Sequence, residues 1–567
     1  MNMQAAILVS WLLLAIVPPS GAVTLLDPPR QGIQYETLRF RFEESLHLAN
    51  PFDLVSNQVE LRVYQPDLSR AVISFFYDGE ADNGAERWEA RFSPVQTGEH
   101  AVEVVINGAV AARHRVFVSA NPGSHQGGLT TGTYPSMFRF SSGEPFRGVG
   151  LNVCWSEDYE YYFKKMQSSG ITVTRIWMAP WHLSVEWKDT GLGRYNLASA
   201  RRLDSILTLA HTYGIYVILC MDYHGIARKG MGYFQENRWS DNPYNRANGG
   251  PCVNAADLFT SSTAKELFKR KYKYIVSRFG HSPNLAMWEF FNESDLMAGG
   301  AIAENRWHIA MGEFVHAVDA HHRLVSSSAT RSFPEKIVDA FRSPAMDVVM
   351  YHSYNMIDLA PYVADLHETA VEYYGKPVIL GEFGVEYRGA DRTIKEDPGH
   401  VGLHNALWAG WFSETPVAPM SWWWDNYIDP LDLWGEYSRL AAFAGMTSLS
   451  GGPLSFSTLP PPRAAGSPAV PVYGRCIING GEIGLWWKNE HYQWSVMAEQ
   501  PDCPTLPEFS QTVPGVPPGR YVVRWYDPQT GTTLDSPKEW STGQSDTLTL
   551  TVPHFARDLA CVARRIP

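Results

Sequence analysis

LAMWEFFNESD, residues 285–295, is the stretch from which the rest of the chain is read. It is apolar or aromatic at nearly every position up to Phe291, then ends abruptly on Asn292 and Glu293. An unbroken apolar run, rather than an alternating one, suits a strand covered on both faces, as in a parallel sheet wrapped by helices. A carboxylate at the C-terminal end of such a strand lies where a (β/α)8 barrel gathers its reactive groups. KPVILGEFGVEY, residues 376–387, has the same grammar and delivers Glu382. Two strand-end carboxylates within one βα region are the minimum equipment for cutting a glycosidic bond.

Working outward, eight runs read as buried strands: FRGVGLNVCW, TVTRIWMAPW, YVILCMDYHG, LAMWEFFNE, LVSSSATRS, DVVMYHSY, PVILGEFG and APMSWWWDNY. Stretches of helical periodicity separate them, and several, such as SARRLDSILTLAHTYG, close on a glycine that suits a helix C-terminus. The alternation predicts a TIM barrel over residues 138–456. A doubly wound open sheet would need a phosphate-cradling glycine fingerprint after its first strand, and GVGLN lacks the third glycine. The insertion after the third strand, residues 226–258, is rich in Gly, Asn, Trp and Tyr and is expected to shape the cleft.

The flanks read differently. Residues 23–120 alternate apolar and polar in short runs, which predicts an Ig-like β-sandwich. Residues 121–137 are expected to be a linker, as is the Pro- and Ala-rich stretch 457–471. Residues 472–567 return to short strands and predict a second sandwich, in which Trp486, Trp487 and Trp525 are candidates for a sugar platform. The whole is therefore multidomain, a central barrel between two β-sandwiches. Residues 1–22 have the apolar run and small-residue end of a secretory signal, so the protein is expected to be secreted or periplasmic, with no membrane association after signal removal.

The 567 residues carry 47 Lys and Arg against 59 Asp and Glu, a net charge of −12, which argues against a nucleic-acid partner. Twenty Trp fit either a large core or stacking against sugars. The six Cys show no metal-type spacing, and no cofactor or metal is expected. Cys476 and Cys503 are the pair that a disulfide in an exported protein would join.

Hydrolysis with retention needs two carboxyl groups about 5–5.5 Å apart, one nucleophile and one acid/base. The nucleophile must stay ionised and wants a cationic neighbour, and Arg175 in TRIWM is the candidate. Asn292-Glu293 after the fourth strand and Glu382 after the seventh make the barrel resemble glycoside hydrolase family 5 and its clan of retaining enzymes. Arg175 after the second strand, His224 after the third, and His352 and Tyr354 after the sixth fall in the same order. The first sandwich is similar to the β-domain that precedes some cellulase-like barrels.

The resemblance implies Glu382 as nucleophile, Glu293 as acid/base and Asn292 on the sugar 2-hydroxyl. It further implies that Tyr354 bonds the nucleophile, His352 lines the site near the acid/base, Arg175 steadies Glu382 and His224 binds a sugar hydroxyl. Trp424 is expected to floor the sugar subsite, with Trp422 and Trp423 as alternatives. The implied substrate is a polysaccharide or oligosaccharide of β-mannan or β-glucan type. The rival readings are an exo-acting β-glycosidase or transglycosylase on the same barrel, and a non-catalytic carbohydrate-binding protein.

Overall fold

The barrel strands are β1 (Gly148–Asn152), β2 (Val173–Trp177), β3 (Tyr216–Tyr223), β4 (Leu285–Asn292), β5 (Leu324–Ser326, resumed as Ser328–Ala329), β6 (Val349–Tyr354), β7 (Val378–Gly384) and β8 (Val417–Ser421). This is a computed structural model describing residues 22–123, 125–228, 237–447, 453–462, 470–542 and 546–567. The expected signal segment up to residue 21, the middle of the third-strand insertion and much of the second expected linker lie outside the described residues.

All barrel ladders are parallel. The sheet begins on the first piece of β5, passes through β4, β3, β2, β1, β8, β7 and β6, and ends on the second piece of β5, so the ring closes on itself. Every residue of β4 and β7 is buried, as their unbroken apolar runs predict. The break in β5 has a local cause in its serine run. Ser327 Oγ takes the NH of Phe291 at 3.2 Å and donates to the carbonyl of Phe291 at 3.1 Å, so a side chain replaces a ladder rung.

The helices begin and end on signals in the sequence. Asn196 accepts from the Ser199 NH to start helix Leu197–Tyr213, and Gly214 ends it at φ 69°. The N-terminal end of the barrel is plugged. Three short strands, Leu129–Thr131, Phe138–Phe140 and Pro145–Phe146, form a small antiparallel sheet. Their Leu129, Phe138 and Phe146 pack with Val173, Ile218, Met350 and Ile379. Part of the stretch expected as a linker therefore belongs to this plug.

Before the barrel, a five-stranded and a three-stranded sheet form the N-terminal unit. Its core residues, among them Phe42, Leu61, Trp88 and Val104, run into the barrel core as one cluster. Arg91 of the sandwich bonds Asp204 at 2.5 Å, and Arg278 of the barrel bonds both Asp204 at 2.7 Å and Asp78 at 2.9 Å. After the barrel, a six-stranded and a two-stranded antiparallel sheet enclose a separate core. Trp486 and Trp487 are 0% exposed and Trp525 5%, so the expected sugar platform is instead core. All six cysteines are free, so Cys476 and Cys503 form no disulfide. No helix of the described residues is long and apolar enough to cross a membrane.

Candidate active site

At the C-terminal ends of the barrel strands, charge collects around one guanidinium. Arg175 lies inside β2 rather than after it, and is completely buried. Its Nε and Nη2 donate to the two oxygens of Glu289 at 3.0 and 2.8 Å. Its Nη1 donates to Glu382 Oε1 at 2.7 Å and to Asn152 Oδ1 at 3.1 Å, and Nη2 reaches Asn292 Oδ1 at 3.0 Å. A guanidinium at this depth persists only with such company, since an unpaired buried charge costs several kcal/mol, of order 3–5. Burial opposes its charge; Glu289 and Glu382 more than offset that and hold its pKa well above the ordinary value.

Glu382, near the end of β7, has both carboxylate oxygens engaged. Oε1 faces Arg175, and Oε2 accepts from the Tyr354 hydroxyl at 2.8 Å. Burial pushes its carboxyl above the usual range, His352 and Arg175 work against that, and Glu293 adds to it. The Tyr354 phenol is pushed up as well, by burial first and then by Glu382.

Glu293 is reached by a sharp exit from β4. Its backbone is left-handed, φ 49° and ψ 55°, a conformation that costs a non-glycine residue about 1–2 kcal/mol. Ser328 Oγ accepts its NH at 3.0 Å and so helps to hold the turn. Such strain concentrates where a side chain must be aimed. His352 on β6 sits between the two carboxylates, with Nδ1 3.0 Å from Glu293 Oε1 and 3.4 Å from Glu382 Oε2. Burial pulls its imidazole down to about 4, so it is neutral at pH 7. His224 Nδ1, just after β3, lies 3.7 Å from Glu293 Oε2 and 3.4 Å from Asn292 Nδ2.

One oxygen of Glu293, one of Glu382 and one nitrogen of His352 all lie within 4.8 Å of one another. Among the described residues this is the only trio so placed that could hold a metal ion, and the Arg175 guanidinium on Glu382 supplies a positive charge there already.

Seven of the eight residues expected at the site thus converge: Arg175, His224, Asn292, Glu293, His352, Tyr354 and Glu382. Trp424 does not. It is 1% exposed and packs edge-on beneath Trp155 and Trp422, at 4.9 and 5.2 Å. The expectation came from the family resemblance, with Trp422 and Trp423 as alternatives. Instead β8 stops at Ser421, and residues Trp424–Ile428 form a π-helical turn that drives the ring inward. The half-buried rings near the mouth are Trp422 and Trp423.

Asn152 and Glu289 are the residues that the sequence reading did not assign to the site. Glu289 and Arg175 each interrupt an otherwise apolar strand, and two lone opposite charges in buried strands are a sign that they pair.

Residues 141–427 match the profile of the cellulase family, glycosyl hydrolase family 5, over half of the chain. The chain belongs to glycosyl hydrolase family 5. Among curated members it is 25% identical to mannan endo-1,4-beta-mannosidase 7 of Arabidopsis thaliana over 299 residues, 43% of this chain and 65% of that one. It thus spans a little under two thirds of that relative's length. It is 22% identical over 311 residues to mannan endo-1,4-beta-mannosidase A of Podospora anserina, covering 48% of this chain and 78% of that one. In overall fold it resembles the crystal structure of a candidate glycoside hydrolase from Bacteroides vulgatus, with a TM-score of 0.65 and 14% identity over 94% of this chain and all of that one. That likeness extends beyond the family 5 barrel to the β-sheet units on either side.

Proposed function

We propose that this chain is an exported retaining glycoside hydrolase that cleaves β-mannosidic bonds by double displacement. The observation that carries the reading is the pair of carboxylates, Glu293 and Glu382, whose oxygens approach within 4.8 Å. That approach matches the short carboxyl spacing of retaining enzymes, about 5–5.5 Å, rather than the roughly 6.5–9.5 Å of inverting ones.

In the first step Glu382 attacks the anomeric carbon while Glu293 gives its proton to the departing glycosidic oxygen. The sugar is left as an ester of Glu382. In the second step Glu293, now a carboxylate, takes a proton from water; the water attacks the same carbon, and Glu382 departs. Arg175 and Tyr354 fix the two oxygens of Glu382 and favour its ionised form before attack. Asn292, itself held by Arg175, is offered to the sugar 2-hydroxyl. His352, neutral, positions Glu293 without adding charge between the two carboxylates. His224 is offered to a sugar hydroxyl beside Glu293. Trp422 and Trp423 take the stacking role first expected of Trp424.

The choice of mannan rests on the activity named for the curated relatives. Export rests on the signal-like character of residues 1–22.

The test is chemical rescue. A Glu382→Ala variant should lose about 10⁵-fold in kcat on an aryl β-mannoside, and azide should restore turnover with the α-mannosyl azide as product. The corresponding Glu293→Ala variant should give the β-azide. Wild-type activity in Glu382→Ala would overturn the assignment.

A further inference from the structure

The carboxylates divide the barrel mouth into two sides. Glu293, on the β4 side, must stand next to the leaving oxygen. Everything on the reducing side of the cut therefore leaves past the loops after β4, β5 and β6. The sugar under attack, and any sugars before it, lie on the other side, over the ends of β8, β1, β2 and β3.

That side is lined by rings that touch. Trp422, after β8, meets Trp155, after β1, at 5.6 Å between centroids and 78°. Trp155 meets Trp181, after β2, at 5.5 Å and 81°. Trp181 meets Tyr223, the last residue of β3, at 5.1 Å and 83°. Beneath these, Trp177 at the end of β2 and Tyr223 are 5% and 2% exposed and back the arc from below, Trp177 touching Trp422 at 5.3 Å and Tyr223 at 5.9 Å. Trp177 also lies against Arg175, whose Cζ is 5.8 Å from its ring, so the arc is built onto the catalytic cluster.

A sugar that passes between two rings needs van der Waals contact with each, about 3.5–4 Å twice over, or roughly 7–8 Å in all. Contacts of 5.1–5.6 Å leave no such passage. The half-buried rings Trp422, Trp155 and Trp181 follow three neighbouring strands, β8, β1 and β2, so a glycan would have to climb over them rather than run between them.

We propose that the enzyme is exo-acting and removes one sugar per event from the non-reducing end, because this arc of contacting rings closes the glycone side of the site. The proposal rests on the hydrolase reading above and goes beyond it. The curated relatives are named as endo-acting, so exo action would be a departure from the activity named for them.

The experiment uses the full chain and β-1,4-linked pentaoses of mannose, glucose and xylose, each labelled at the reducing end. Early products are separated by length. The expected result on whichever pentaose is cut is free monosaccharide and labelled tetraose, with monosaccharide in about tenfold excess over any longer unlabelled fragment. Unlabelled di- or trisaccharide as the main early product overturns exo action and leaves the hydrolase reading intact. No cleavage of any pentaose overturns the hydrolase reading and this proposal with it. Trp155→Gly removes the ring common to the Trp422 and Trp181 contacts, and should bring out unlabelled di- and trisaccharide. A folded Trp155→Gly enzyme that still releases only monosaccharide removes the arc as the cause. Should that variant not fold, the wild-type product lengths decide alone.

Discussion

Two buried histidines, each between two carboxylates, differ in charge in this protein: one is neutral and the other a cation at pH 7. His352 lies between Glu293 and Glu382 in the barrel mouth and is pulled down to about 4. His404 lies between Glu436 and Asp558, where the barrel meets the C-terminal sheets, and is pushed up to about 9. Burial works against the charged form in both, and the neighbours decide. His404 uses both ring nitrogens, Nδ1 to Glu436 and Nε2 to Asp558, each at 2.8 Å, so each proton of the imidazolium has a carboxylate. His352 offers only Nδ1 to both of its acids, its Nε2 has no partner, and Arg175 already neutralises one of the two. Number of acids alone does not set a histidine's charge; which nitrogens they reach, and which cation arrived first, does.

Removing that first cation should break the contrast most severely. Arg175→Met leaves Glu289 and Glu382 buried without their counter-ion. The expected cost is about 3–5 kcal/mol in stability, read by urea unfolding, with kcat falling at least about a hundredfold. His352 should then gain a proton, because the acids that raise its pKa remain and the cation that lowers it is gone. Nitrogen NMR of the histidine rings at pH 6 reads this directly. A neutral His352 in a folded variant would show that burial alone sets its state.

The seam histidine predicts a different signature. Its folded pKa of about 9 lies above the ordinary unfolded value of about 6.5. The group's contribution to stability is therefore fully present below pH 6.5 and is lost as pH rises through about 9. The shift corresponds to about 3 kcal/mol. Glu436 faces the same ring and is also bonded by Arg439. Burial raises its carboxyl, His404 and Arg439 overcome that, and the net shift is down. Its contribution is thus lost toward acid and does not confuse the alkaline window. Unfolding midpoints from about pH 6 to 9.5 should fall more steeply for the wild type than for His404→Leu, which starts from a lower level; the difference isolates His404, because Glu304, raised to about 8, and Lys376, lowered to about 8, titrate in both. Equal slopes in the two would mean that another group carries the alkaline loss.

The same contrast explains what could be read from the sequence. The strands of the barrel were legible because burial on both faces leaves an unbroken apolar run, and the two carboxylates proposed for catalysis because each ends such a run. What escaped depends on packing in three dimensions. Glu289 stands out as a lone charge in an apolar strand, but its place in the site shows only once Arg175, far away in sequence, is known to lie opposite it. Trp424 was misplaced because a resemblance in strand order does not show the π-helical turn that begins just after β8 ends. Trp486 and Trp487 looked like a sugar platform because composition cannot tell a stacking surface from a core. Residues 129–131 looked like linker because three residues are too few for a pattern, yet they help plug the barrel.

The smallest expected effect sharpens the catalytic half of the contrast. The Tyr354 hydroxyl donates to Glu382 Oε2 and so favours the ionised carboxylate. Burial already pushes Glu382 above the ordinary carboxylate value, so activity should fall on the acid side as pH drops through that raised value. Tyr354→Phe deletes one hydrogen bond to the charged form, worth about 1.5 kcal/mol, and should move the acid limb of the kcat/KM profile upward by about one pH unit. The limb must move up, because the neutral acid loses nothing when the donor is removed and the anion does. The acid-side unfolding profile of the variant separates this from damage to the fold, since the seam carboxylates lie outside the barrel mouth. An acid limb that stayed in place would mean that Arg175 alone fixes the ionisation of Glu382 and that Tyr354 serves only to orient it.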